Sequence, residues 1–171
     1  MHLRLAGMDD LTQLKTVYKE IIGKMNREHI QIWDEVYPCA FFEEDIKKGR
    51  LYLLTRGRDI IASFALCPSN SGEAHLKWKD PRGKALYLDR FGVNVDCMRQ
   101  GVGSAALRYA MALAREMDAD FLRLLVVDVN LPAIRLYEKN GFCRVGGIYE
   151  ESFDDVVLRE YGYESGLSQS R

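Results

Sequence analysis

Apolar residues fall along the chain in two rhythms, short dense runs and wider helical spacings, and the switches between them predict the elements. Residues 2 to 6 alternate as a first strand, and Asp9-Asp10 opens a helix that reaches about Lys24. A second helical stretch is expected from about Phe41 to Lys48. Leu51 to Thr55 and Ile60 to Leu66 flank Arg56-Gly57-Arg58-Asp59, a hairpin signal with glycine in the turn. Pro68 to Lys84 is polar and turn-forming, although Ala74 to Trp78 adds a little structure. Ala85 to Val95 is rich in aromatic and aliphatic residues, as strands are, and Gly92 marks a bulge or a close backbone approach. Val102, Ala106, Tyr109, Leu113 and Met117 recur at helical spacing, with Arg108, Arg115 and Glu116 off that stripe. Phe121 to Val127 is a nearly continuous apolar run, the composition of a strand buried on both faces. Asn130 to Phe142 then makes a helix of about three turns, with Asn130 as N-cap, Pro132 in the first turn and Gly141 as the stop. Residues 143 to 149 and 153 to 161 are expected as terminal strands, and 163 to 171 as a polar tail. The pattern predicts a mixed α/β chain, one domain over residues 1 to 162.

The best clue to chemistry is the segment Cys97-Met98-Arg99-Gln100-Gly101-Val102-Gly103-Ser104, between a strand and an amphipathic helix. Glycines at 101 and 103 admit close backbone approach, and the first N–H groups of a helix have no intrahelical acceptor, so such a turn attracts negatively charged oxygens. A lone GxG pair arises often by chance, so the strand before it and the helix after it carry the argument. On the later helix, Asn130, Ala133 and Tyr137 share roughly one face, offering a polar cap, a small residue and a phenol.

On these two blocks, Met98 to Gly103 and Asn130 to Phe142 with its Leu-Tyr-Glu-Lys-Asn-Gly-Phe run, the chain resembles the GNAT superfamily of acetyl-CoA-dependent N-acetyltransferases. The resemblance is strongest from residue 85 to 142. One position departs: the first residue of the glycine block, usually Gln or Arg, is Met98, with Arg99 beside it as a substitute charge. The resemblance implies a central mixed, mostly antiparallel sheet of six to seven strands, flanked by about four helices and splayed where coenzyme A enters. It implies that backbone groups of Phe91, Gly92 and Val93 grip the pantetheine arm. Met98, Arg99, Gln100, Gly101, Val102, Gly103 and Ser104 would hold the pyrophosphate, with further contacts from Asn130 and Ala133. Tyr137 would serve as the general acid.

The chemistry needs both an acid and a base. An amine attacks a thioester only as the free base, yet an alkylammonium has a pKa near about 10.4, so a proton must leave it; the departing thiolate leaves more easily if an O–H donates to it. Asp89 is the candidate base, beside a water chain as the alternative, and pairing with cross-strand cations is the ordinary use of such a residue. Trp33 and Tyr37, with Trp78 from the later loop, are candidates for an aromatic wall around the amine, against the ordinary alternative of core packing. Lys77, Lys79, Arg82 and Lys84 form a basic cluster read as a solvated loop rather than a phosphate contact.

Composition narrows the remaining classes. A net charge of −1 over 171 residues argues against a nucleic-acid binder. Four dispersed cysteines, at 39, 67, 97 and 143, show no metal-ligand or disulfide spacing, so no metal is expected. With neither an apolar leader nor a spanning run, a cytoplasmic protein without a membrane partner is expected. The acceptor is expected to be a small-molecule or peptide amine, and a homodimer is left open. Two alternatives stand beside the transferase: a catalytically silent CoA-binding module, and a dinucleotide enzyme. Ala106 and Asp128 keep the latter open, while the mid-chain place of the glycine turn after a hairpin weighs against it.

Overall fold

Ten strands and four α-helices are present among the described residues, 1–167, of the computed structural model. In chain order they are β1 (His2–Leu5), α1 (Leu11–Arg27), α2 (Phe42–Lys47), β2 (Leu51–Arg56), β3 (Asp59–Cys67), β4 (Leu76–Lys77), β5 (Ala85–Val93), α3 (Val102–Glu116), β6 (Phe121–Val127), α4 (Leu131–Lys139), β7 (Cys143–Arg144), β8 (Gly146–Gly147), β9 (Tyr149–Phe153) and β10 (Val156–Gly166). The fold is mixed α/β with a mostly antiparallel sheet. The β5–β6 ladder is parallel, whereas β1–β2, β2–β3, β6–β10, β7–β10 and β9–β10 are antiparallel; β4 and β8 form a separate pair. The residues divide into two compact units, the first made of Met1–Leu66 and Arg90–Tyr109, the second of Cys67–Asp89 and Ala110 onward.

In the first unit, α1 buries Leu14, Val17, Tyr18 and Ile21, the i, i+3, i+4, i+7 stripe of a helix with one face against a core. The hairpin of β2 and β3 supplies that core with Leu51, Leu53, Leu54, Ile60, Ile61, Ala62 and Phe64, all buried. Its turn uses Gly57 at φ +60, where a residue with a Cβ is strained.

In the second unit, β6 lies between β5 on one side and β10 on the other, and Leu122, Leu124, Val126 and Val127 are buried. The C-terminal region differs from expectation. β10 runs on through Gly166, with Tyr163 opposite Leu124 and buried, so the expected start of a tail at residue 163 falls inside a strand. Tyr163 to Gly166 pair with the edge of β6, whose backbone groups would otherwise lack partners on that side. The rest of the expected tail, 168 to 171, lies outside the described residues.

The face of α3 also differs. Val102, Ala105, Ala106, Ala110 and Ala114 are buried, whereas Tyr109 and Met117 are 37% and 40% exposed. The helix turns Leu107 and a run of alanines inward, so its buried face is set largely by small residues and not by Tyr109 and Met117.

Candidate functional site

The glycine turn is anchored from both ends within the first unit. Cys97 before it and Val102 and Ala106 after it join a buried cluster with Leu54, Ile61 and Ala62, against which Phe91 and Val93 of β5 also pack. Upstream, the Asn94 side chain accepts from the Asp96 amide at 3.1 Å and donates to the Ile60 carbonyl at 3.0 Å, pinning the exit of β5 to β3. The Gln100 side chain returns to the Asp96 carbonyl at 2.9 Å, so it braces the turn from behind. Two residues of the turn are left-handed, Arg99 at φ +60 and Gly101 at φ +77. Nothing lies within 4 Å of a Cβ built on Gly101, so this glycine is there for its backbone angle rather than for lack of room. Met98 and Ser104 are half-buried, and the Arg99 side chain is exposed. The geometry presents the first N–H groups of a 15-residue helix next to open space, which suits an anion.

Just before it, β5 carries a feature the sequence did not announce. Arg90, a buried arginine, sits at φ +53, so the backbone kink lies two residues before Gly92. Its guanidinium is held by Asp45 of α2, which is fully buried, with Nε to Oδ2 at 2.6 Å and Nη2 to Oδ1 at 2.9 Å. Arg50 adds a second cation to Asp45 at 2.7 Å. The Arg90 carbonyl accepts from the Tyr18 hydroxyl, and burial pushes the Tyr18 phenol well above its ordinary range, so it stays a donor. Gly92 serves close approach: a Cβ there would lie 2.8 Å from the Tyr18 ring. Thus Tyr18, Asp45 and Arg90 shape this stretch, though neither helix carried a motif that singled them out.

The two aromatic candidates of this unit enter separate pairs. Trp33 stacks on Tyr18, ring centroids 5.6 Å apart, and Tyr37 meets Phe41 edge-on at 5.3 Å. Both are half-buried in the segment between α1 and α2, which Asp34 folds by accepting from the amides of Val36 and Tyr37 at 2.8 Å each.

The second unit holds the other candidates. Asn130 caps α4, accepting from the Ala133 amide at 3.4 Å, so the structural use expected of it is present. Ala133 is half-buried and Tyr137 is buried, its ring 5.9 Å from Phe142. Burial, and secondarily the negative charge of Asp89, push the Tyr137 phenol well above its usual value; at neutral pH it is an O–H donor. Asp89 is half-buried and accepts from the Asn70 side chain at 3.2 Å. Two positions along the ladder, Arg123 and Glu164 form a buried cross-strand ion pair at 3.1 Å, with Arg123 against Trp78 at 4.8 Å from the ring centroid. Trp78 is therefore a buried packing residue, its Nε1 donating to the Glu73 carbonyl at 2.9 Å. Lys77, Lys79, Arg82 and Lys84 are exposed, although Lys77 lies in β4 and Lys84 Nζ donates to the Met117 carbonyl at 2.7 Å.

The ladder between β5 and β6 ends at Tyr87 opposite Arg123, although β6 continues to Val127. From Leu124 on, β6 has no strand partner on its β5 side among the described residues. An opened parallel pair, a capped helix carrying a buried phenol and a glycine turn at a helix N-terminus together fit one known family. Its model, the Acetyltransferase (GNAT) family, matches residues 17–142. The chain belongs to the GNAT acetyltransferases.

This GNAT enzyme is an N-acetyltransferase. Over 161 residues, it is 26% identical to an N-alpha-acetyltransferase of Saccharolobus solfataricus, covering 91% of this chain and 90% of that protein. Its fold is similar to that of a GNAT-family acetyltransferase from Streptococcus agalactiae, with TM-score 0.76 and 16% identity over 98% of this chain and 96% of the other. It is also similar to the ribosomal-protein-S18-alanine N-acetyltransferase of Escherichia coli, with TM-score 0.67 and 19% identity over 99% and 96%. GNAT enzymes generally use acetyl-CoA as the donor. Among the described residues, no cluster of side chains could hold a metal, and no helix is long and apolar enough to cross a membrane.

Proposed function

We propose that this enzyme moves the acetyl group of acetyl-CoA onto a primary amine by direct attack in a ternary complex. The observation that carries the reading is the glycine turn, with Arg99 and Gly101 left-handed at the N-terminus of α3. The exposed turn and the space beside Gly101 fit a pyrophosphate held by backbone N–H groups, with Met98 costing little because its side chain is not the donor. Acetyl-CoA would bring the activated thioester. Phe91, Gly92 and Val93, beside the kink that Asp45 and Arg90 hold, would align its pantetheine arm. Tyr137, protonated at neutral pH, would give its proton to the departing sulfur.

The likeness to a protein named for α-amine acetylation favours a peptide N-terminus over a small-molecule amine as acceptor. Titration calorimetry with acetyl-CoA, with NADH and ATP as controls, tests the donor. Micromolar binding of acetyl-CoA alone is expected, and preference for NADH would overturn the reading. Acetyl-CoA binding with no transfer to any of a panel of free-amine peptides and polyamines would mark a silent CoA-binding module instead.

A further inference from the structure

In the second unit, Glu160 sits on β10 opposite Val127, the last residue of β6, and opposite Tyr149 of β9. Strand pairing fixes the face it occupies. Residues paired across a ladder project to the same side, and side chains alternate along each strand. From Tyr87 opposite Arg123, alternation places Asp89 of β5 and Val127 of β6 on one face. From Glu164 opposite Arg123 and Glu160 opposite Val127, it places Glu160 there too. Glu151 of β9, opposite Leu158, completes the set. The ion pair of Arg123 with Glu164 agrees with this placement, since the two meet on that face. The same face carries a cavity of about 440 Å³ lined by Glu73, Trp78, Tyr87 and Arg123. The other face is tied to α4, where the Tyr163 hydroxyl donates to Glu138 at 3.0 Å.

We propose, on the basis of the acetyl-transfer reading, that Glu160 is the proton acceptor for the incoming amine, with Asp89 a positioning residue that tunes it. Both carboxylates stand on the face opposite α4, and the β5–β6 ladder opens between Asp89 and the end of β6. An acid and a base on opposite faces of that opening serve the two ends of one substitution without neutralising each other. Burial raises the Glu160 carboxyl to about 7, and the carboxylates of Glu151 and Asp89 push in the same direction. A base with that affinity is part-ionised at neutral pH and still basic enough to take a proton.

The step balances. Glu160 removes one proton from the ammonium, and the freed nitrogen lone pair bonds to the acetyl carbon while the carbonyl π pair moves to oxygen. That pair returns as the C–S bond breaks, its electrons leaving on sulfur. Sulfur takes the Tyr137 proton, and the second nitrogen proton restores the phenol. The products are an amide and the CoA thiol, and Glu160 releases its proton to solvent.

The test uses the full chain as wild type, Glu160→Gln and Asp89→Asn. Calorimetry with acetyl-CoA comes first: equal affinity in wild type and Glu160→Gln is expected, and no binding to the wild type would sink the acetyl-transfer reading itself. Carbon-13 NMR of labelled glutamate then reads Glu160 directly. A midpoint near 7, moving down in Asp89→Asn, is expected, and a midpoint at the ordinary 4.5 overturns the proposal. Release of CoA thiol with the free-amine peptide panel is followed from pH 5.5 to 9. Glu160→Gln should lose about 100-fold in kcat/KM at pH 7 and lose the rise centred near 7, while Asp89→Asn keeps the rise at lower pH. A Glu160→Gln enzyme within twofold of wild type across that range overturns the assignment.

Discussion

On the acetyl-transfer reading proposed above, the two units would contribute to function by different means. The first works through its backbone: a left-handed turn, a kinked strand and the N–H groups of a helix start, with side chains such as Asn94, Gln100, Asp45 and Arg90 holding that backbone in place. The second would work through side chains whose protonation is set by burial: Tyr137 kept as a phenol, and Glu160 held near its point of titration. Backbone recognition tolerates substitution of the residues that carry it, so long as the angles survive. Side-chain chemistry does not, and it responds to pH.

The sharpest way to break this comparison is Tyr137→Phe. It should lower kcat by about 10²–10³-fold with acetyl-CoA affinity unchanged, as single-turnover kinetics and calorimetry would read. An unchanged rate would leave the second unit without its acid. Next comes the support of the first unit. Asp45→Ala removes the buried carboxylate that holds the guanidinium of Arg90 and should cost about 3–5 kcal/mol in urea unfolding, whereas breaking an exposed pair such as Lys47–Glu43 should leave the unfolding midpoint nearly where it was.

Gly101→Val forces a β-branched residue to φ +77, a cost of roughly 1–2 kcal/mol. It should raise the acetyl-CoA Kd about tenfold while leaving kcat at saturation nearly intact. By contrast, Met98→Gln should change that Kd by no more than a few-fold, because the contact proposed there is made by backbone N–H groups.

Stability against pH sharpens the contrast further. The folded Glu160 carboxyl titrates near 7, above its ordinary 4.5, so the folded state holds a proton that the unfolded chain has lost. That contribution is fully present below 4.5 and is lost as pH rises through 7. Glu160→Gln should therefore raise Tm at pH 8 by a few degrees and leave it unchanged at pH 4, by calorimetric scan. In the first unit Asp10 runs the other way. Its hydrogen bond from Arg4 holds its carboxyl below the usual range, so that stability is present above about pH 4 and fades as pH falls. Arg4 is 41% exposed at the side chain, so Asp10→Asn should cost only a few tenths of a kcal/mol.

Local rules made much of the chain readable from its residues. The glycine turn, the hairpin about Gly57, and the Asn130 cap with the Gly141 stop depend on neighbours a few positions away, and φ angles and cap hydrogen bonds are local quantities. The two family blocks are therefore legible in the residues themselves, as are the start of α3 and the place of Tyr137 on α4. What failed had distant causes. The buried face of α3 is legible only at Val102 and Ala106; Ala105, Ala110 and Ala114 escape the pattern because alanines carry little hydrophobic signal until something packs on them. The strand from Tyr163 to Gly166 reads as polar because its partner, β6, lies some 40 residues earlier.

The sequence by itself thus determined the order of elements, the family and the candidate acid. Only the tertiary structure decided which carboxylates meet. Asp45 reaches Arg90 across 45 positions, and Glu160 shares a sheet face with Asp89 across 71, through register set by strand pairing. The physical reason is that a carboxylate's function lies in its solvation and its neighbours' charge, and neither is a property of the residues beside it in the chain.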